Sequence, residues 1–384
     1  MNSRERVLCA LNHEEPDRVP IFFGTSGGTT MLASAYDLLK AHLGIQRETR
    51  VFWRALQYSL LDEDKMVRCH ADGRPLIPKV PPSSLTREIA DNEFADLWGI
   101  TRHSTPQSHY YEMMGAPLAD ATIDDLDKFL WPDFSQPSRF AGLAEQAQGI
   151  HQAGYAVVAL SGISPFGFSY ILRGIENFFG DLVALPEFAQ AFLRKLTTLM
   201  CDSTIALLNE VGEHNDVIVT GDNLGGHETT LISPEMYRKR VKPLHVELFS
   251  AIKSRSKGKI FYHSDSNIYS ILCDLLEVGV DRLNPVHVAA ADIGGTAQIK
   301  RKFGNRLSFC GAIDIVRVLP RGPIEGVRAE VRCRIKDLAP GGCYILASVH
   351  CIQLDVPPGD VLAMFDKVVK SGGCPIKLQN SANS

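Results

Sequence analysis

KIFYHSDSNIYSILCDLLEVGVDRLN, residues 259–284, holds one complete strand–helix–strand repeat. Its opening, Lys259 to His263, is a short β-branched and aromatic run that stops at a histidine. Ile268, Ile271, Leu272, Leu275 and Leu276 then recur at spacings of three and four, which gives one apolar face to a helix between Asn267 and Val278. Val280 to Asn284 begins the next strand. Strands separated by a helix call for a parallel pair with the helix packed across it.

The same alternation runs through the chain. Arg18–Gly24, Tyr155–Leu160, Asp216–Thr220, Leu307–Cys310 and Cys343–Ala347 read as further strands, each followed by Gly, Ser, Asn or Asp and a helical pattern. An eighth, weaker run lies near Val67 to Pro78. Val361, Leu362, Phe365 and Val369 mark a last helix, started by Pro357 and Pro358 and stopped by Gly372. About eight such strands predict an α/β fold closed into a TIM-type (β/α)8 barrel, and no GxGxxG follows the first strand to support a dinucleotide fold. Residues 91–120 fit neither period and are predicted as a hairpin excursion over one barrel end. Residues 1–373 are expected to form a single domain, with a flexible tail over 374–384.

Composition bounds the function. Of 384 residues, 45% are hydrophobic and 22% charged, the mixture of an ordinary globular chain. A net charge of −4 offers no broad basic field, so neither nucleic acid nor an anionic membrane is an expected partner. Nine scattered cysteines without a CxxC pair, and a polar amphipathic start, point to reduced thiols in the cytoplasm. No apolar run reaches about 18 residues, so no membrane span is expected.

In a barrel, chemistry gathers where strands end. The residues following these strands are Thr25 and Ser26; Ser161; Asp222 and Asn223; His263 and Asp265; Asn284 and His287; Cys310 and Asp314; and Ser348, His350 and Cys351. His263, Asp265 and His350 form a possible divalent-metal set, with Cys310 ranked above Cys351 as a softer fourth ligand. The competing reading makes Asp265, Ser266 or Asn267 the cap of the next helix, and His263 an ordinary packed imidazole. Tyr110, Tyr111 and Phe166 are candidates for an apolar substrate wall, against a plain core role. Arg173 and Glu176 read as a helix-face pair.

Seven stretches together resemble the uroporphyrinogen decarboxylase superfamily. They are RERVLCALNHEEPDRVP (4–20), YYEMMGAPLAD (110–120), LRGIENFFGDL (172–182), GDNLGGHETTLISPEMYRKRVKP (221–243), HSDSN (263–267), CGAIDIVRVLP (310–320) and SVHCIQLDVPPGDVLAMF (348–365). The resemblance implies a distorted (β/α)8 barrel. Authentic uroporphyrinogen decarboxylases carry Arg-Gln-Ala-Gly-Arg after the first strand, where arginines meet the substrate's carboxylates. Here the matching stretch, GTSGGTT at 24–30, has no arginine.

The chain is more similar to the cobamide-dependent methyltransferase branch, whose zinc is held by His-x-Cys and a distant Cys. His263 matches the histidine, Asp265 stands at the first cysteine, and His350 stands at the second, seven residues before Pro357. The resemblance therefore implies Zn2+, or another divalent ion, in a harder ligand set suited to oxygen or nitrogen rather than sulfur. It also implies a methoxy or other O/N-methyl donor, with methoxyaromatics as candidates, a corrinoid (cobalamin) carried by a partner protein, and a homodimer as a candidate assembly. Asp222, Asn223 and Asp314 are candidates to orient ligands or substrate, with a cap or turn role for each as the equal alternative. Two other readings stay open: a metal-free decarboxylase of an acidic aromatic or tetrapyrrole-like substrate using Asp62 or Asp314 with His350, and a non-catalytic module that docks a corrinoid protein through residues 91–120.

Overall fold

The computed structural model describes residues 1–162, 164–286 and 295–373; His287 and the expected tail over 374–384 lie outside them. Seven parallel strands follow in chain order around one curled sheet: β1 (Gly73–Leu76), β2 (Ala156–Leu160), β3 (Val217–Gly221), β4 (Lys259–His263), β5 (Arg282–Val286), β6 (Ser308–Ile313) and β7 (Tyr344–Ser348). Every residue of β5, β6 and β7 is buried, as a parallel sheet covered by helices requires. The predicted last helix forms over Pro358–Ser371. The fold is the α/β, TIM-like one expected.

The weak run near Val67 to Pro78 supplies β1, whereas the stronger Arg18–Gly24 run makes no regular strand. Proline explains the difference. Pro20 has no N–H to give to a ladder, and the N–H of Ile21 is diverted to the Asp72 carboxylate at 2.8 Å. The segment still joins the two edges of the sheet. Leu346 of β7 donates to Pro20 and accepts from Phe22, each at 2.9 Å, while the Asp72 N–H donates to Ile21 at 2.9 Å.

Asp72, with no solvent exposure, locks this closure. Its Oδ1 accepts from Arg6 Nη1 at 2.7 Å and Arg18 Nη2 at 2.9 Å, and its Oδ2 accepts from Arg18 Nη1 at 2.8 Å. Arg6 belongs to the helix Ser3–Leu11, whose Val7, Ala10 and Leu11 pack among Phe22, Val158, Phe261 and Ile345 as the barrel floor. The floor leaves the strand C-termini as the open face.

The excursion is larger than the predicted hairpin. Residues Arg87–Ala90, Glu93–Ala95, Thr101–His103 and Glu112–Met114 form a four-stranded antiparallel sheet. Phe94, Leu97 and Trp98 from this segment line a cavity at the barrel mouth. Among the described residues, no helix is long and apolar enough to cross a membrane.

Removing the Asp72 carboxylate leaves the Arg18 guanidinium without its ion pair at the barrel edge, leaves Arg6 only Asp17, and frees the buried Ile21 N–H. Asp72→Ala should therefore cost about 3 kcal/mol or more of unfolding free energy in a denaturant titration. Asp366→Ala, which breaks the exposed Arg68 pair, should cost about 1 kcal/mol or less.

Candidate metal centre

His263 ends β4, and Asn284 sits beside it in register on β5. The His263 Nδ1 lies 2.7 Å from the Asn284 Oδ1. An amide oxygen can only accept, so the neutral imidazole holds its proton on Nδ1 and presents the Nε2 lone pair. That Nε2 is 3.4 Å from the Asp265 Oδ1, and the Asp265 Oδ2 is 3.9 Å from the His350 Nε2. One donor atom from each residue falls within 4.8 Å of the other two. Ligands around a tetrahedral ion with bonds of 2.0–2.2 Å stand about 3.4 Å apart. The donor set and its spacing fit a divalent cation.

The cap reading is answered by the neighbouring residue. Asn267 Oδ1 accepts the Tyr269 N–H at 3.0 Å, at the turn Tyr269–Ile271. Between the two side chains, Ser266 takes a left-handed φ of 64°, and Asp265 reaches toward the histidines. Burial works against charging His263, but Asp265 and the Asn284 oxygen outweigh it and raise its pKa above the usual histidine value. A proton and a metal ion would therefore compete for the same nitrogen.

Close backbone approach holds the cluster in place. A Cβ on Gly225 would lie 2.1 Å from the Asp265 carbonyl oxygen, so only glycine lets the loop after β3 pack there. A Cβ on Gly28 would meet His263 Cε1 at 2.8 Å and Asn284 Oδ1 at 3.1 Å. His350 follows β7, with its ring edge-on to Tyr58, centroids 6.3 Å apart. The sequence reading did not single out Tyr58. Its one signal is the GTSGGTT loop, where a Cβ on Gly27 would touch the Tyr58 ring at 2.7 Å.

The other candidates fall in different places. Cys310 stands outside the three-residue cluster, fully buried in β6 against Arg282 and Asn284, where burial pushes its thiol pKa up. Cys351 is also buried and outside the cluster. Asp222 anchors the helix Pro165–Arg173: it accepts from Ser164 Oγ at 2.5 Å, Phe166 N at 3.0 Å and Gly167 N at 2.9 Å. His245 Nε2 is 3.3 Å from the same carboxylate. Asn223 stands beside the Tyr170 phenol, while Ser161 donates to the Val219 carbonyl at 2.8 Å.

The cluster opens into a cavity of about 490 Å3, which Asp222 and Asn223 also line. Its wall is aromatic, but not through the residues expected. Phe52, Trp53, Tyr58, Trp98, Phe134 and Phe168 line it; Tyr110, Tyr111, Phe166 and Ser161 do not. Phe166 is fully buried against Phe178 and Phe179, Tyr111 packs on Phe94, and Tyr110 is exposed. Asp62 and Asp314 also lie off the cavity. Asp62 accepts from Tyr36 at 2.8 Å. Asp314 caps its own turn through Val316 N at 2.7 Å and Arg317 N at 2.8 Å. Arg173 pairs with Asp181 at 2.7 Å instead of Glu176.

Two substitutions should loosen the cluster without touching a ligand. Asn284→Leu removes the partner of His263 Nδ1 and should weaken Zn2+ affinity about 10- to 100-fold. Gly28→Ala should displace the His263 ring and weaken Zn2+ in the same direction. Competition against a chromogenic chelator reads both, with thermal melting to show that each variant stays folded.

A family model described as uroporphyrinogen decarboxylase (URO-D) matches residues 110–371. No curated protein matches the chain. Among solved structures, a methyltransferase from Methanosarcina mazei superposes with a TM-score of 0.65 at 18% identity, covering 96% of this chain and 99% of that one. The Penicillium canescens endo-1,4-β-xylanase XylE gives a TM-score of 0.32 at 11% identity, covering 57% of this chain and 77% of the xylanase. The methyltransferase likeness spans the whole barrel, and the family match covers six of the seven strands, including both that lead to His263, Asp265 and His350. The chain belongs to the uroporphyrinogen decarboxylase family.

Proposed function

We propose that the protein is a metal-dependent methyltransferase that takes a methyl group from an O- or N-methylated small molecule and passes it to a corrinoid held by a partner protein. The observation that carries this reading is the convergence of His263, Asp265 and His350 on the rim of an aromatic-walled cavity. The family includes decarboxylases, but Asp62 and Asp314, the carboxylic acids a metal-free decarboxylation would use, do not line that cavity. The whole-chain likeness to a methyltransferase supports the same choice.

His263, Asp265 and His350 would hold the ion, with Zn2+ the first candidate. When bound, it would supply Lewis acidity to the heteroatom bearing the methyl group, and the reduced corrinoid would supply the nucleophile. The protein's own contribution is placement. Asn284 fixes the His263 ring, and Asp265 offers a hard oxygen ligand, which suits an ether oxygen or amine better than a thiolate. Tyr58 lines the site, and burial holds its phenol pKa well above the ordinary value, so it remains an O–H donor at neutral pH. Asp222 secures the helix that brings Phe168 to the wall, and that wall excludes water from the methyl-bearing end of a substrate.

His263→Ala should lose both metal and turnover. Elemental analysis of the untreated protein gives the zinc content, and methyl transfer from methoxylated donors to chemically reduced cobalamin gives the activity. Zinc retained at the parent level in the variant overturns the assignment of the site. Asp265→Asn should keep a neutral acceptor but weaken Zn2+ binding by about tenfold or more, since it removes the anionic ligand. Because His263 has a raised pKa when the metal is absent, Zn2+ affinity should fall as pH drops through that value.

A further inference from the structure

The cavity wall carries His263, Asp265 and His350 and also four cations, Arg54, Lys79, Arg102 and Arg139. Two of these are neutralised within the protein. Arg54 pairs with Glu88, and Arg102 donates to Asp96 at 2.8 Å, leaving Asp96 bonded as well to the N–H groups of Trp98 and Ile100.

Lys79 and Arg139 are different. Among the described residues, neither has a carboxylate within ion-pair reach. Arg139 is only 5% exposed, and its guanidinium gives hydrogen bonds to the neutral acceptors Lys79 O, Phe134 O and Ser203 Oγ. The segments carrying the two cations are tied together, with Lys79 N donating to Arg139 O at 2.9 Å and Arg139 Nε to Lys79 O at 2.8 Å. A guanidinium so deeply buried gains only partial compensation from neutral acceptors, and burial depresses its pKa to about 10 against the smaller opposing pull of the Asp133 carboxylate, which stands beyond ion-pair distance. The Arg139 guanidinium stands 5.0 Å from the centroid of the Phe134 ring, which packs on Trp98, itself against Phe168, so an anion there would stand beside an aromatic wall.

We infer that Lys79 and Arg139 form an anion subsite that receives a carboxylate on the methyl donor, making the substrate class methylated aromatic acids. This rests on the methyl-transfer reading for the donor end only; the anion subsite is a binding property and is tested without turnover. Lys79 supplies a mobile ammonium, and Arg139, whose Nε and Nη1 are engaged, supplies the N–H groups of its Nη2 to a carboxylate oxygen. The aromatic walls of the same cavity would hold the flat body of the substrate.

Trp53 and Trp98 line the cavity, so quenching of tryptophan fluorescence can follow binding. The probes are 4-methoxybenzoate and its neutral counterpart, 4-methoxybenzamide. The full-length protein should bind the acid about 10- to 100-fold more tightly than the amide, the range of a charge-assisted contact. Lys79→Met should reduce that preference several-fold, Lys79→Arg should restore it, and His263→Ala should leave it in place. Equal affinity for acid and amide, no binding of the acid, or a preference untouched by Lys79→Met overturns the subsite. An acid preference that depends on Lys79 in a protein with no methyl transfer would instead overturn the methyl-transfer reading and leave the subsite standing.

Discussion

A carboxylate without access to water closes this barrel. Asp72, one residue before β1, takes hydrogen bonds from two arginines of the N-terminal segment and from the backbone of Ile21. The Val19–Phe23 chain is thereby held between β1 and β7, where a proline prevents it from forming a regular ladder. Charge pairing stands in for strand pairing at the point where the sheet meets itself. Everything at the mouth depends on it, because His263 comes off β4 and His350 follows β7, and only a closed ring turns those ends toward a common centre.

The periodic elements were legible because burial on both faces leaves continuous apolar runs, and Lys259–His263 matches its strand end to end. The barrel closure was not. Arg18–Gly24 has the composition of a strand, and nothing local shows that the Ile21 N–H will be claimed by a carboxylate 51 residues on. Similar logic separates the site residues. His263, Asp265 and His350 could be picked out because strand ends converge in a barrel by topology, whatever the side chains do.

The aromatic wall could not be read that way, since it depends on which face of each element turns inward. Phe166 and Phe168 stand on one helix two positions apart, a rotation of about 200°, so one enters the core while the other lines the cavity. Trp98 and Phe94 come from an excursion whose sheet has no periodic signature long enough to predict. Cys310 illustrates the opposite error: it lies on a strand near the site in sequence logic, yet its side chain faces Arg282 within the barrel.

The helix Ser3–Leu11 has a consequence for traffic through the molecule. With Val7, Ala10 and Leu11 packed across the strand N-termini, the barrel has a floor, and the cavity is reached from the strand C-terminal side. A small molecule and any macromolecule that exchanges a group with it must share that doorway. The smaller one has to be seated before the larger one covers the entrance, and it cannot leave until the larger one withdraws. Under the proposed methyl transfer, an order of arrival and departure would thus follow from the helix Ser3–Leu11 at the opposite end of the barrel.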